Sequence, residues 1–161
     1  MEQINEPTTE LTVEIDASPE EVWRVVADVT RIPEWSPVCH RCEWIDGAHS
    51  AVDGARFRGH NKLNGARWSR DCEITAAEPG TVLAFSTRFK EQESTRWRYR
   101  LEPSGSGTRV SEAYQVVMVP RWVRAMRRLP GAAAKSERDT QKNIETSLDR
   151  LKAVVEREAH A

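Results

Sequence analysis

The dipeptide Asn64-Gly65, set between two extended runs, restricts this chain more than any other feature. A two-residue hairpin loop adopts a type I′ turn, which needs positive φ at both central residues, and Asn-Gly supplies that at least cost. The turn pairs Leu63 with Ala66. Because side chains alternate between the two sides of a strand, this one pair sets all the others. Lys62:Arg67, His60:Ser69, Arg58:Asp71 and Arg56:Glu73 share a face that reads as solvated, with two cross-strand ion pairs expected on it. Asn61:Trp68, Gly59:Arg70 and Phe57:Cys72 share the opposite, inner face.

Two further turns extend the pattern. Glu78-Pro79-Gly80-Thr81 has Pro and Gly in the central positions of a type II turn, and it brings Ile74 opposite Phe85, Cys72 opposite Thr87 and Arg70 opposite Phe89. The loop Ser104-Gly105-Ser106-Gly107 sets Glu102 against Arg109 outside, and Leu101:Val110, Tyr99:Glu112 and Trp97:Tyr114 inside. The inner face stays apolar across both junctions.

Helical signals flank this meander. Leu11, Val13 and Ile15 alternate with polar residues as a half-buried strand, and Ser18-Pro19-Glu20-Glu21 then reads as an N-cap, a Pro at the first helical position and an acidic first turn. Asp28 to Pro37, with prolines at 33 and 37, predicts a broken second helical turn leading into a loop around Trp35. From about residue 132 to 156 the chain predicts one long amphipathic helix, with Ile144, Leu148, Leu151 and Val155 forming its apolar stripe. Only the inner face of the sheet offers such a stripe enough apolar area. The expected class is therefore α+β, with helices on one side of an antiparallel sheet.

Bulk properties narrow the function. A chain of 161 residues suits one domain, expected over residues 9–157 after a flexible tail at 1–8. With 24 Lys+Arg against 25 Asp+Glu the formal charge is -1, so no global field favours nucleic acid or an anionic membrane. No run approaches the roughly 20 apolar residues of a membrane span, and the start lacks a secretory pattern. Three cysteines form no disulfide framework and suit a reducing compartment, so the expected location is cytoplasmic.

In this order and spacing the chain resembles the polyketide cyclase/dehydrase and lipid-transport branch of the START-like, Bet v 1-like (SRPBCC) superfamily, over about residues 9 to 157. The resemblance is carried by Ile15-Asp16-Ala17-Ser18-Pro19-Glu20-Glu21-Val22-Trp23, Pro33-Glu34-Trp35-Ser36-Pro37 and Gly54-Ala55-Arg56-Phe57-Arg58-Gly59. It continues in Ala77-Glu78-Pro79-Gly80 before Phe85, in Gly107-Thr108-Arg109-Val110 and in Leu148-Asp149-Arg150-Leu151-Lys152. The resemblance implies a helix-grip fold: a curved seven-stranded antiparallel sheet wrapped around a long C-terminal helix, with two short helices after the first strand. It implies no single reaction, because the superfamily holds passive carriers as well as aromatase/cyclases.

Within the inner face the polar minority stands out. Arg70, Tyr99 and Glu112, with Asn61 and Thr87, point inward among Phe57, Trp68, Cys72, Phe85, Trp97 and Tyr114. A buried Arg or Glu costs several kcal/mol unless paired or wetted. Three readings follow. An Arg70–Glu112 or Tyr99–Glu112 pair only fixes the interior; or these groups orient a ligand in an apolar pocket closed by Ile144 and Leu148; or Glu112 is a base, with Arg70 and Tyr99 stabilising an enolate. Pocket Arg and Tyr residues are associated with aromatase/cyclases of the superfamily, and Arg70 resembles such an Arg in residue type and strand.

The expected function is binding or transport of an apolar small molecule, lipid or polyketide-like, with a cyclase, aromatase or dehydratase, or an interaction protein with a filled core, as alternatives. Cys39-His40-Arg41-Cys42 lacks a second Cys pair at zinc-ribbon spacing and leads into a strand, so neither a metal nor a redox role is expected of it; no cofactor is expected either. Residues 120–130 carry four Arg and no acid, with Trp122, Met126 and Leu129 on one helical face. That face either packs over the cavity mouth, making Trp122 and Met126 ligand contacts, or makes at most transient contact with a membrane. Self-association as a homodimer through edge strands or this segment stays open.

Overall fold

A computed structural model describes residues 9–161. The tail expected at residues 1–8 lies outside the described residues. Seven antiparallel strands form one sheet in the order β1-β7-β6-β5-β4-β3-β2. Strand β1 spans Thr9–Ile15 and is followed by α1, Pro19–Val26, and a 3₁₀ turn at Val29–Glu34. Strands β2 (Cys39–Ile45), β3 (Arg56–Leu63), β4 (Ala66–Glu78), β5 (Val82–Phe89), β6 (Gln92–Ser104) and β7 (Gly107–Val116) form the meander. Helices α2, Arg121–Met126, and α3, Ala132–Ala159, complete the chain. The sheet curls around α3 in the expected α+β arrangement.

Local chemistry explains these boundaries. Ser18 and Glu21 close a reciprocal capping box at α1, Ser18 N donating to Glu21 Oε2 at 2.8 Å and Glu21 N to Ser18 Oγ at 3.3 Å. Val22, Val25 and Val26 then face the core. Pro33 denies the next segment a regular helix, and the 3₁₀ turn hands Trp35 to the interior with no exposed surface.

The Asn64-Gly65 turn, with φ of 50° and 83°, fixes β3 on β4 in the expected register from Leu63↔Ala66 back to Arg56↔Glu73. On the outer face Arg58 meets Asp71 at 2.6 Å as expected. The second expected pair does not form: Arg56 turns to Asp46 (2.5 Å) and Asp71 (3.5 Å), and Glu73 is taken by Arg88 at 3.3 Å.

The β4–β5 register reaches the expected pairs by an indirect route. Glu78 opposes Val82, one residue beyond a two-residue loop, and a bulge between Ile74 and Ala76 absorbs the extra residue. Ile74↔Phe85 and Cys72↔Thr87 are therefore in place. Strands β6 and β7 pair Tyr99 with Glu112 and Trp97 with Tyr114, as the Ser104–Gly107 tip requires.

Gly107 lies where β7 begins against the end of β1. A Cβ there would come within 2.3 Å of the Ile15 carbonyl oxygen. The next residue, Thr108, donates its hydroxyl to the Ala17 carbonyl at 2.7 Å, so the contact also anchors the chain entering α1.

Along α3 the buried residues Ile144, Leu148, Leu151 and Val155 realise the predicted stripe. The C-terminal half is tied to the end of β1 by Asp16 N donating to Glu156 Oε1 (2.8 Å) and Lys152 Nζ to the Glu14 carbonyl (2.8 Å). No helix among the described residues is long and apolar enough to cross a membrane.

Two substitutions test this account. Gly107→Ala is expected to destabilise the fold by about 1–3 kcal/mol in urea unfolding, because the obstruction is backbone rather than a flexible side chain. The β5–β6 turn places Lys90 and Glu91 at φ of 49° and 64° without glycine. Replacing them by Asn-Gly should stabilise by about 1 kcal/mol, raising Tm by roughly 2–4 °C in a thermal melt.

Candidate functional site

Between the inner face of the sheet and the middle of α3 lies a cavity of about 380 Å3. Its position follows from the helix sequence. Where α3 faces the sheet beyond Leu148 it presents Leu151 and Val155 and packs solidly, but further toward its N-terminus the facing positions are Ser147, Asn143 and Thr140 around Ile144. Those small polar side chains leave unfilled space.

The sheet wall is aromatic. Phe85, Trp97 and Tyr114 are successive cross-strand partners, with ring centroids 6.5 Å apart for Phe85–Trp97 and 4.6 Å for Trp97–Tyr114. Phe57 meets Phe85 edge-on at 5.1 Å and Trp44 at 6.1 Å, which carries the aromatic row across to β2. Asn61, Trp68, Cys72 and Thr87 also border the cavity, as the registers require. Cys39 and Cys42 border it too, a position not expected of them. All three cysteines are free thiols, and among the described residues no group of three His, Cys, Asp or Glu side chains is arranged to hold a metal ion.

At the cavity floor a buried polar chain joins three elements. Trp35 Nε1 donates to the Tyr99 hydroxyl over a long 3.4 Å, and the Tyr99 hydroxyl donates to Glu112 Oε1 at 3.0 Å. Tyr99 and Glu112 are only 4% and 3% exposed. The second carboxyl oxygen, Glu112 Oε2, has no hydrogen-bond partner among the described residues. Burial disfavours a charged carboxylate and pushes the Glu112 pKa from an ordinary 4.5 up to about 7, against the opposing pull of the Tyr99 hydroxyl and the Ser147 side chain. Burial, then the neighbouring carboxylate, likewise raises Tyr99 well above the usual phenol value.

Arg70 does not join this group. Its guanidinium stacks over the Phe89 ring at 5.0 Å and donates to the Ser69 carbonyl at 2.9 Å, at the cavity rim and half-buried. Of the two internal pairs expected, Tyr99–Glu112 is made and Arg70–Glu112 is not, because the registers set Arg70 beside the Phe89–Gln92 turn, several residues along the strands from Leu83, Tyr99 and Glu112. Leu148 belongs to the solid core and does not border the cavity. Trp122 and Met126 also stand apart from it, with 62% and 59% of their surfaces exposed. The side of α2 turned inward is the one carrying Val123 and Arg127, which border a neighbouring recess of about 210 Å3.

Sequence reasoning missed Ser147, Asn143 and Thr140. A signal existed: they interrupt an otherwise apolar stripe at helical spacing. Trp35 was visible only as an aromatic in a Pro-flanked loop, and nothing local shows that it reaches Tyr99.

The sequence model of the family described as polyketide cyclase/dehydrase and lipid transport matches residues 6–156. No curated protein matches the sequence. Among solved structures, a Polyketide_cyc-like protein from Corynebacterium glutamicum is 26% identical with a TM-score of 0.58, over 95% of this chain and 91% of that one. A protein from Nitrosomonas europaea superposes with a TM-score of 0.69 at 14% identity, over 95% of this chain and 96% of that one. The di-domain ARO/CYC StfQ from the steffimycin biosynthetic pathway gives a TM-score of 0.75 at 13% identity, over 95% of this chain and 51% of that one.

The pH dependence of stability tests the state of Glu112. A carboxyl whose pKa is raised on folding stabilises the fold fully below about 4.5 and loses that contribution as pH rises through about 7, a change of about 3 kcal/mol. Glu112→Gln keeps a neutral group of the same shape, so from about pH 5 to about pH 8 the variant should gain roughly 5–10 °C in Tm relative to the parent. A Tm difference constant across that window would show that the carboxyl is not held neutral.

Proposed function

We propose that this chain, which belongs to the polyketide cyclase/dehydrase and lipid-transport family, binds an apolar small molecule, lipid or polyketide-like, in the cavity between its sheet and α3. The observation that carries this reading is the cavity itself. Its volume of about 380 Å3 lies in the range of small-molecule sites, its sheet wall is aromatic, and one buried carboxyl oxygen within it has no hydrogen-bond partner among the described residues. An interior of that size argues against a filled core. Apolar contact supplies affinity, while Glu112, as a neutral acid, offers a hydrogen bond to a ligand carbonyl or hydroxyl and so sets its orientation.

A second reading, a cyclase, aromatase or dehydratase, is favoured by one specific feature. With a pKa near 7, Glu112 can give or take a proton close to neutral pH, which suits general acid–base catalysis. Tyr99 would steady the carboxyl through its hydrogen bond. Arg70 sits at the rim and would meet only the outer part of a bound molecule.

Binding is tested by titrating the protein with a fluorescent apolar probe and by native mass spectrometry of the protein from its own source. Thr87→Trp adds bulk on the inner wall and should lower probe affinity about tenfold or more, with Tm little changed. No uptake by the parent protein, and no small molecule retained, would sink the proposal. Glu112→Gln separates the two readings: a carrier keeps its ligand, whereas an enzyme loses turnover while still binding.

A further inference from the structure

We infer that the segment from Val117 to Leu129 docks this protein on an anionic phospholipid bilayer, with the cavity adjoining the inward side of the docked segment. Four of the large apolar side chains that are exposed in the described structure lie here: Val117, Trp122, Met126 and Leu129, at 42%, 62%, 59% and 63%. Turn hydrogen bonds from Arg127 N to the Val123 carbonyl and from Leu129 N to the Met126 carbonyl continue the helical path of α2 to Leu129. Trp122, Met126 and Leu129 therefore share one outward stripe. Arg121, Arg124 and Arg128 occupy the flank beside it, and Val123 and Arg127 face the protein.

The charge around this stripe is one-sided. No acidic residue occurs between Glu112 and Glu137, although the whole chain has a formal charge of -1. Several arginines elsewhere sit beside carboxylates, as Arg41 does with Glu43, Arg58 with Asp71, Arg96 with Glu93 and Arg109 with Glu14. Among the described residues no carboxylate forms an ion pair with the four arginines of this segment, and only Arg127 shares a recess with one, Glu137.

Uncompensated positive charge calls for an external anion, and an exposed Trp-Met-Leu stripe calls for an apolar phase. A bilayer of anionic lipid supplies both in one plane. A nucleic acid would supply the anions but nothing for Met126 and Leu129. A second copy would cover the stripe but bring its own four arginines against these. The recess lined by Val123 and Arg127 shares Ser94, Thr95, Tyr114 and Thr140 with the larger cavity, so the inward side of the docking segment adjoins that cavity. Docking does not depend on what the cavity holds.

Co-sedimentation of the full chain with vesicles tests this. Vesicles of roughly three parts phosphatidylcholine to one of phosphatidylglycerol should bind the protein about tenfold or more tightly than phosphatidylcholine alone, and about 0.5 M salt should remove most of the difference. W122A/M126A/L129A and R121E/R124E/R128E should each weaken binding about tenfold, with Tm unchanged because these side chains are exposed. No association at low salt overturns the inference, as does equal binding to neutral vesicles. An apolar triple variant that binds like the parent reduces the segment to a polyanion-binding patch, and light scattering that shows the segment buried in a dimer assigns it to self-association; either result also overturns it.

Discussion

The apolar inner face of the sheet is covered by α3, with α1 packed against β6 and β7, and the apolar stripe of α3 ends before the sheet does. From Ile144 to Val155, α3 presents side chains bulky enough to pack solidly on the strands. Around Ile144, Thr140, Asn143 and Ser147 take the facing positions, and the same sheet that was core becomes the wall of a cavity. No special scaffold is needed for the site. It results from a volume deficit at three helix positions, held open because the far half of α3 is tied to β1 through Glu156 and Lys152.

A second consequence concerns charge. Register puts Tyr99 and Glu112 opposite each other on β6 and β7, and it puts the inward-pointing Arg70 near the Phe89–Gln92 turn, out at the rim on Phe89. With a hydroxyl as its partner and no guanidinium, the Glu112 carboxyl is more stable protonated, which is why its pKa reaches about 7. A neutral acid with one open oxygen can donate a hydrogen bond or a proton; an Arg-paired carboxylate in the same place would do neither. The chemical character of the cavity therefore depends on where one arginine is not.

The α2 segment obeys a different rule. Its inward residues Val123 and Arg127 are half-buried against a recess, while its outward stripe is left exposed with arginines along one flank. Hydrophobic patterning predicted an amphipathic helix there and correctly grouped Trp122, Met126 and Leu129 on one face. It could not say which face turns inward, because both Trp122–Met126 and Val123–Arg127 recur at helical spacing.

The sequence by itself determined the β3–β4 and β6–β7 registers, which of their side chains share a face, the capped start of α1 and the stripe of α3. Each of these depends on neighbours in the chain or on a turn of two residues, so the residues that set them are adjacent. The β5–β6 turn, built from Lys90 and Glu91, was not legible because it uses positive φ without the residues that favour it. Only the tertiary structure decided the rest. It brought Trp35 to Tyr99 across 64 positions of chain, separated Arg70 from Glu112, left Trp122 and Met126 outside the cavity and kept space open beside Ser147. These outcomes depend on how a twisted sheet curls and how far one helix fills it, which is a matter of summed volume and curvature that no local pattern encodes.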